Sequence, residues 1–173
     1  MSASILSFFP SQEKIYLITN VGGFSLDEHI PKADRYDLYK RVIKNLGQVD
    51  ERKVEIIPQT MPPFPWHFGG QRFHNIFVDS EEIGNFCNDT GRKICLDTSH
   101  SYLAAKHSGI DFIEFIRPLL AHTAHLHIAD GIGTKGEGLQ IGEGEIDFRK
   151  LLSVINKMPD DTTFIPEIWQ GHK

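Results

Sequence analysis

Five short apolar runs recur along this chain roughly every 30–40 residues, the repeat length of one strand–helix unit. They are KIYLITNV (14–21), VEIIP (54–58), KICL (93–96), AHLHI (124–128) and TFIPEI (163–168), and each reads as a buried strand. Helical patterns lie between them. Residues 35–46 carry a stripe of Tyr36, Leu38, Tyr39, Val42, Ile43 and Leu46. Asp79 is placed to cap a helix over 80–88, with Glu81 and Glu82 in the first turn where the helix dipole favours acid. Residues 111–120 and 147–157 predict two more helices, and a long loop, TMPPFPWHFGGQRFHN, spans 60–75. Near-continuous apolar strands alternating with helices predict an α/β fold with a parallel sheet covered on both faces. Polar residues gather at the C-terminal end of each strand, which in a (β/α) barrel of the TIM type is the catalytic face.

The chain of 173 residues, 40% hydrophobic, is read as a single domain, 1–173, long enough to bury roughly 70% of its unfolded surface. A net charge of −5 with scattered Lys and Arg gives no cationic footprint, so neither nucleic acid nor an anionic membrane is an expected partner. Cys87 and Cys95 make no disulfide framework and no metal-type CxxC pair, which fits a reduced, cytoplasmic setting. The first residues lack the cationic start and cleavage site of a signal peptide, and no stretch approaches the ~20 apolar residues of a membrane span.

Chemistry-bearing residues stand at three successive strand ends. The third strand ends in Asp97-Thr98-Ser99-His100, which sets a carboxylate and an imidazole at one rim. A helix N-cap by Asp97 or Ser99 explains the same residues equally well. In the fourth strand, alternation points His125 and His127 to one side, a costly arrangement on a buried strand unless they hold a metal or a substrate. Glu167 closes the apolar run of the fifth and needs a cation or donor there. One imidazole and two carboxylates suit Mn²⁺, Co²⁺, Zn²⁺ or Mg²⁺ with positions open for substrate. Gly142-Glu143-Gly144-Glu145-Ile146-Asp147-Phe148 looks like a phosphate- or ligand-hugging loop, although a turn followed by an Asp147 cap accounts for most of it. Trp66 and Trp169, with Phe64 and Phe68, lie in rim loops where they could stack on a sugar or simply pack.

DTSH (97–100), HLHIAD (125–130), GEGEIDF (142–148) and PEIWQGH (166–172) together resemble the xylose isomerase-like barrel superfamily of sugar isomerases, sugar epimerases and apurinic-site endonucleases. The resemblance implies divalent-metal ligands at Asp97, His127 and Glu167 and a substrate contact from His100, with Glu167 and His100 as catalytic residues. His125, Trp66 and Trp169 are the further substrate-binding candidates. The family's fourth metal ligand is a Glu ending the preceding strand, where this chain has Gln59; Glu55 has the right parity but lies nearer the strand's other end. A His frequent in relatives after the first strand is replaced here by Asn20-Val21-Gly22-Gly23.

The implied activity is metal-dependent isomerisation or epimerisation of a sugar or sugar phosphate. A non-catalytic sugar-binding or interaction domain is the alternative that Gln59 and the missing strands favour, and the EIWQGH-like ending resembles that of barrels attached to nonulosonic acid synthesis proteins. An apurinic-site endonuclease fits less well, because Asp130 is followed by Gly131-Ile132 rather than a metal-binding His. Barrels of this type close with about eight strands and ~250 residues. The segments here correspond to strands three to seven, so the expectation is a partial barrel from a longer polypeptide, associating as a homo-oligomer through its open edges.

Overall fold

The computed structural model describes residues 15–67 and 69–169. In chain order, β1 (Ile15–Thr19), β2 (Phe24–Ser25), α1 (Tyr36–Leu46) and β3 (Val54–Pro58) come first. The long loop then forms three short strands, β4 (Trp66–His67), β5 (Gly70–Gln71) and β6 (Phe73–His74), before α2 (Ser80–Thr90). Next are β7 (Ile94–Asp97), α3 (Thr98–Ser108), α4 (Phe112–Ile116), a 3-10 stretch (Arg117–His122) and β8 (Thr123–Ile128). The rest is β9 (Asp130–Ile132), β10 (Gly136–Leu139), α5 (Phe148–Ile155) and β11 (Thr163–Pro166).

The five strands expected from sequence form the wall. β1 pairs with β3, and β7, β8 and β11 form one sheet, all parallel. A bridge between Gln59 and Cys95 joins the two groups, giving the order β1-β3-β7-β8-β11. Neighbours in sequence are neighbours in space, as in a barrel wall, and among the described residues the wall is open. Alternate residues face opposite sides. Ile94, Leu96 and Leu126 turn outward into the core shared with Tyr39, Val42 and Leu46 of α1, Ile83 and Phe86 of α2, and Leu151 and Val154 of α5. Burying each such side chain contributes about 1.5–3 kcal/mol. Ile57, Cys95 and Ala124 form a smaller inner core with Ile18 against it.

Two expectations needed correction. The segment between β7 and β8 does not carry a single helix over 111–120. It is α3, capped by Asp97, followed by the short α4, capped by Asp111, and then a 3-10 stretch. In α3, Thr98, Ser99, Ser101, Tyr102, Leu103, Ala104 and Ala105 are all buried, so no one-sided apolar stripe exists to reveal it. The antiparallel pairs β2–β6, β4–β5 and β9–β10 were also unforeseen, being too short to show an alternating pattern.

Candidate functional site

Asp97, His127 and Glu167 end three adjacent strands, and one ligand atom from each lies within 4.8 Å of the others. The registers Asp97 to His127 and Ile165 to His127 set this, because side chains two apart along a strand share a face. Asp97 divides its oxygens. Oδ1 accepts from the His100 N–H at 2.9 Å and caps α3, while Oδ2 accepts from Gln59 Nε2 at 3.0 Å and stands 3.8 Å from His127 Nδ1. The same aspartate therefore both caps α3 and faces the cluster. Burial opposes its charge, but His100, His127 and the His100 N–H outweigh that and hold the carboxyl below its usual range.

His127 turns Nδ1 to the Glu167 carboxylate and to Gln59 Nε2, the latter at 3.1 Å. Burial alone would lower its pKa; bonding to Asp97, Cys95 and Glu167 prevails and pushes it up to about 12. Such an arrangement needs a positive charge at its centre, supplied by a proton or by a metal ion. The donor set, one imidazole nitrogen and two carboxylates converging on one point, fits a divalent cation. His127 is nearly buried while Glu167 is half exposed, so the point opens to solvent on the Glu167 side.

Gln59 stands among these groups, its Nε2 also 3.4 Å from His100 Nδ1. Glu55 is four residues down β3, opposite Tyr16. His100 Nδ1 donates to the Thr60 carbonyl at 2.9 Å, and the Thr60 hydroxyl accepts from the Asp97 N–H at 2.9 Å. His125 lies one layer below His127, its ring 5.2 Å away and its Nδ1 against the Thr163 hydroxyl at 2.6 Å. Burial, then His127, lowers its pKa.

Trp66 and Trp169 are both exposed. The Trp169 N–H donates to Gly138 O at 2.8 Å, and the indole covers Gly138 so closely that no Cβ would fit there. Phe64 is surrounded by His29, Phe73, His107 and the Lys135 ammonium, which makes it a clasp between rim segments. Phe68 lies outside the described residues.

The glycine-rich loop is organised from within. Asp130 is buried at the start of β9, and its carboxylate accepts from the N–H groups of Gly131 (2.8 Å), Gly142 (2.9 Å), Gly144 (3.0 Å) and Ile146 (3.0 Å). These donors are spent inside the protein, which corrects the reading of the loop as a phosphate cradle. Asp147 caps α5 as expected. Sequence reasoning missed Glu137 on β10, whose Oε2 lies 3.4 Å from His100 Nε2. Burial, reinforced by Asp97 and Glu167, raises its pKa. An acid between glycines in a short hairpin carries no periodic signal.

Three solved structures share the fold. A D-tagatose 3-epimerase-like protein matches with 19% identity and a TM-score of 0.56, over 94% of this chain and 58% of that one. A D-allulose 3-epimerase from Methylomonas sp., in complex with D-allulose, matches with 12% identity and a TM-score of 0.56, over 85% and 46%. An L-ribulose 3-epimerase matches with 17% identity and a TM-score of 0.62, over 99% and 55%. The chain thus spans about half the length of these structures. No curated protein matches the sequence significantly. No helix among the described residues is long and apolar enough to cross a membrane. The sequence matches a family model over residues 13–173, and with the parallel wall and its strand-end residues this means that the chain belongs to the xylose isomerase-like TIM barrel family.

Proposed function

We propose that this chain carries the catalytic face of a metal-dependent isomerase or epimerase acting on an open-chain sugar or sugar phosphate. The observation that carries the reading is the convergence of Asp97, His127 and Glu167 within 4.8 Å beside His100. Asp97, His127 and Glu167 would hold a divalent ion, with Gln59 as a weak neutral neighbour. When bound, the ion supplies polarisation of a carbonyl and its adjacent hydroxyl. Glu167, half exposed, takes the proton from the carbon next to the carbonyl. Giving it to the carbonyl carbon, while the hydroxyl proton passes to the former carbonyl oxygen, isomerises the sugar; epimerisation needs a second acid to return a proton to the opposite face of the first carbon. His100, its Nδ1 proton fixed on Thr60 O, orients a hydroxyl through Nε2. The exposed rings of Trp66 and Trp169 offer stacking surfaces, and His125 supports His127 from below. The three structural neighbours, all named for sugar epimerases, support this substrate class.

Exchange of sugar C–H protons with deuterated solvent, followed by NMR with Mn²⁺ present and with chelator, tests the reaction. Metal-dependent exchange is expected, and its loss in Asp97→Asn and Glu167→Gln. Absence of both bound metal and exchange removes the reading. A non-catalytic sugar-binding domain is the second reading, favoured by the neutral Gln59 amide at the centre; sugar binding without exchange would select it. Homo-oligomer formation belongs to the first reading, since β1 and β11 leave Leu17 and Phe164 exposed, and light scattering would report it.

A further inference from the structure

Glu137 is held in place by its neighbours rather than by its own side chain. The adjacent Gly138 N–H donates to Ser99 Oγ at 3.1 Å, and Gly138 O accepts from the Trp169 N–H at 2.8 Å. β10 is thereby pinned between the start of α3 and the segment after β11. The Glu137 side chain, only 22% exposed, meets His100 Nε2 at 3.4 Å, and His100 is its ion-pair partner among the described residues. The Thr60 carbonyl can only accept, so His100 Nδ1 carries a proton and Nε2 is the atom turned toward Glu137 and the site. A carboxylate buried beside Asp97 and Glu167 costs stability, and burial together with those two charges holds its pKa above the ordinary range. It caps no helix, in contrast to Asp97 and Asp147. Its return is the contact with His100, itself a candidate site residue, rather than a helix cap, as expected of a functional group.

We propose that Glu137 is a specificity-determining residue that restricts the site to uncharged polyhydroxy sugars, accepting a hydroxyl beside His100 and repelling phosphate or carboxylate groups. The proposal deepens the isomerase reading and rests on it. Two further observations agree. Two lysines are directed elsewhere: Lys135, in the turn between β9 and β10, lies over the Phe64 ring at 5.6 Å, and Lys106 of α3 pairs with Glu145 at 3.6 Å. The four N–H groups that could have cradled a phosphate are already bonded to Asp130. Like charges at contact distance inside a partly buried site repel strongly, and among the described residues the side chain paired with Glu137 is the His100 imidazole, not a lysine or arginine.

The test is calorimetric binding of D-tagatose and of its phosphate monoester to the full-length protein loaded with Mn²⁺, as wild type and as Glu137→Gln. Wild type should prefer the neutral sugar by about tenfold or more, a charge-assisted hydrogen bond being at stake. In Glu137→Gln the neutral sugar should weaken by a similar factor and the preference should collapse, with Mn²⁺ affinity unchanged. Glu137→Ala should shift the preference in the same direction, should the glutamine variant fail to fold. Equal binding of both sugars by wild type, or an unchanged preference in both variants, overturns the proposal while leaving the isomerase reading standing. Failure of wild type to bind either sugar overturns both.

Discussion

The side-chain amide of Gln59 donates to the Asp97 carboxylate at 3.0 Å and fills the space between β3 and β7 at the level of the candidate metal ligands. A carboxylate at that position would add a charged ligand, and cation affinity rises with ligand charge. Gln59→Glu should therefore tighten Mn²⁺ binding by about tenfold or more, read by calorimetry, on the scale of a charge-assisted contact. Without metal the same change should lower the melting temperature, because a further carboxylate would crowd Asp97 and Glu167. Unchanged affinity would place Gln59 outside the metal's reach.

Asp130 latches the loop from Gly131 to Ile146 through four backbone N–H groups. Asp130→Ala strands those donors in a buried place and should cost about 3 kcal/mol or more in denaturant unfolding. Gly144→Ala tests the same packing from the other side. Its Cβ would collide with the Asp130 carboxylate and come within 2.5 Å of Gly131 O, so a loss of about 1–3 kcal/mol is expected. Losses below about 0.5 kcal/mol in both, the level of an ordinary surface change, would mean that the loop is held by something else.

Glu82 sits in the first turn of α2 with Arg35 3.9 Å away, and burial, then Asp79, pushes its pKa up from 4.5 to about 7. A carboxyl whose pKa is raised by folding favours the folded state less as it ionises. Stability should therefore fall between pH 4.5 and about 7 and then level off. After allowance for solvent screening and for Arg35, the effect is on the order of 1–2 kcal/mol. Glu82→Gln should remove that slope and raise the melting temperature at pH above about 7. A stability profile with the same slope in the variant would assign it to other groups.

His74 is fully buried, its Nδ1 3.1 Å from Ile76 O. Burial, opposed by the Ile76 carbonyl, pushes its pKa down to about 4 from 6.5. The unfolded chain takes up a proton that the folded one refuses, so stability should decline as pH falls from 6.5 toward about 4. An NMR titration should find the His74 ring still neutral at about pH 5, on the strength of that burial. A ring that titrates near 6.5 would mean that water reaches it.

The wall strands and the three converging residues were legible in the sequence. Apolar runs at βα spacing define parallel strands, and position at a strand's C-terminal end, with a two-residue period, puts Asp97, His127 and Glu167 at one rim. The largely buried α3 offered only its possible Asp97 cap and the short rim hairpins left no periodic trace, so their extent came from the fold. Asp97 and Asp130 show the boundary most clearly. Both are buried aspartates next to strand ends, Asp97 closing β7 and Asp130 opening β9. The returning loop brings three N–H groups from 142–146 onto Asp130, joined by that of its neighbour Gly131, and makes it a latch. At Asp97 the packing supplies one cap donor and leaves the second oxygen facing Gln59 and His127. Which carboxylate meets backbone and which meets the site depends on segments far away in sequence, and the chain must fold before those segments arrive.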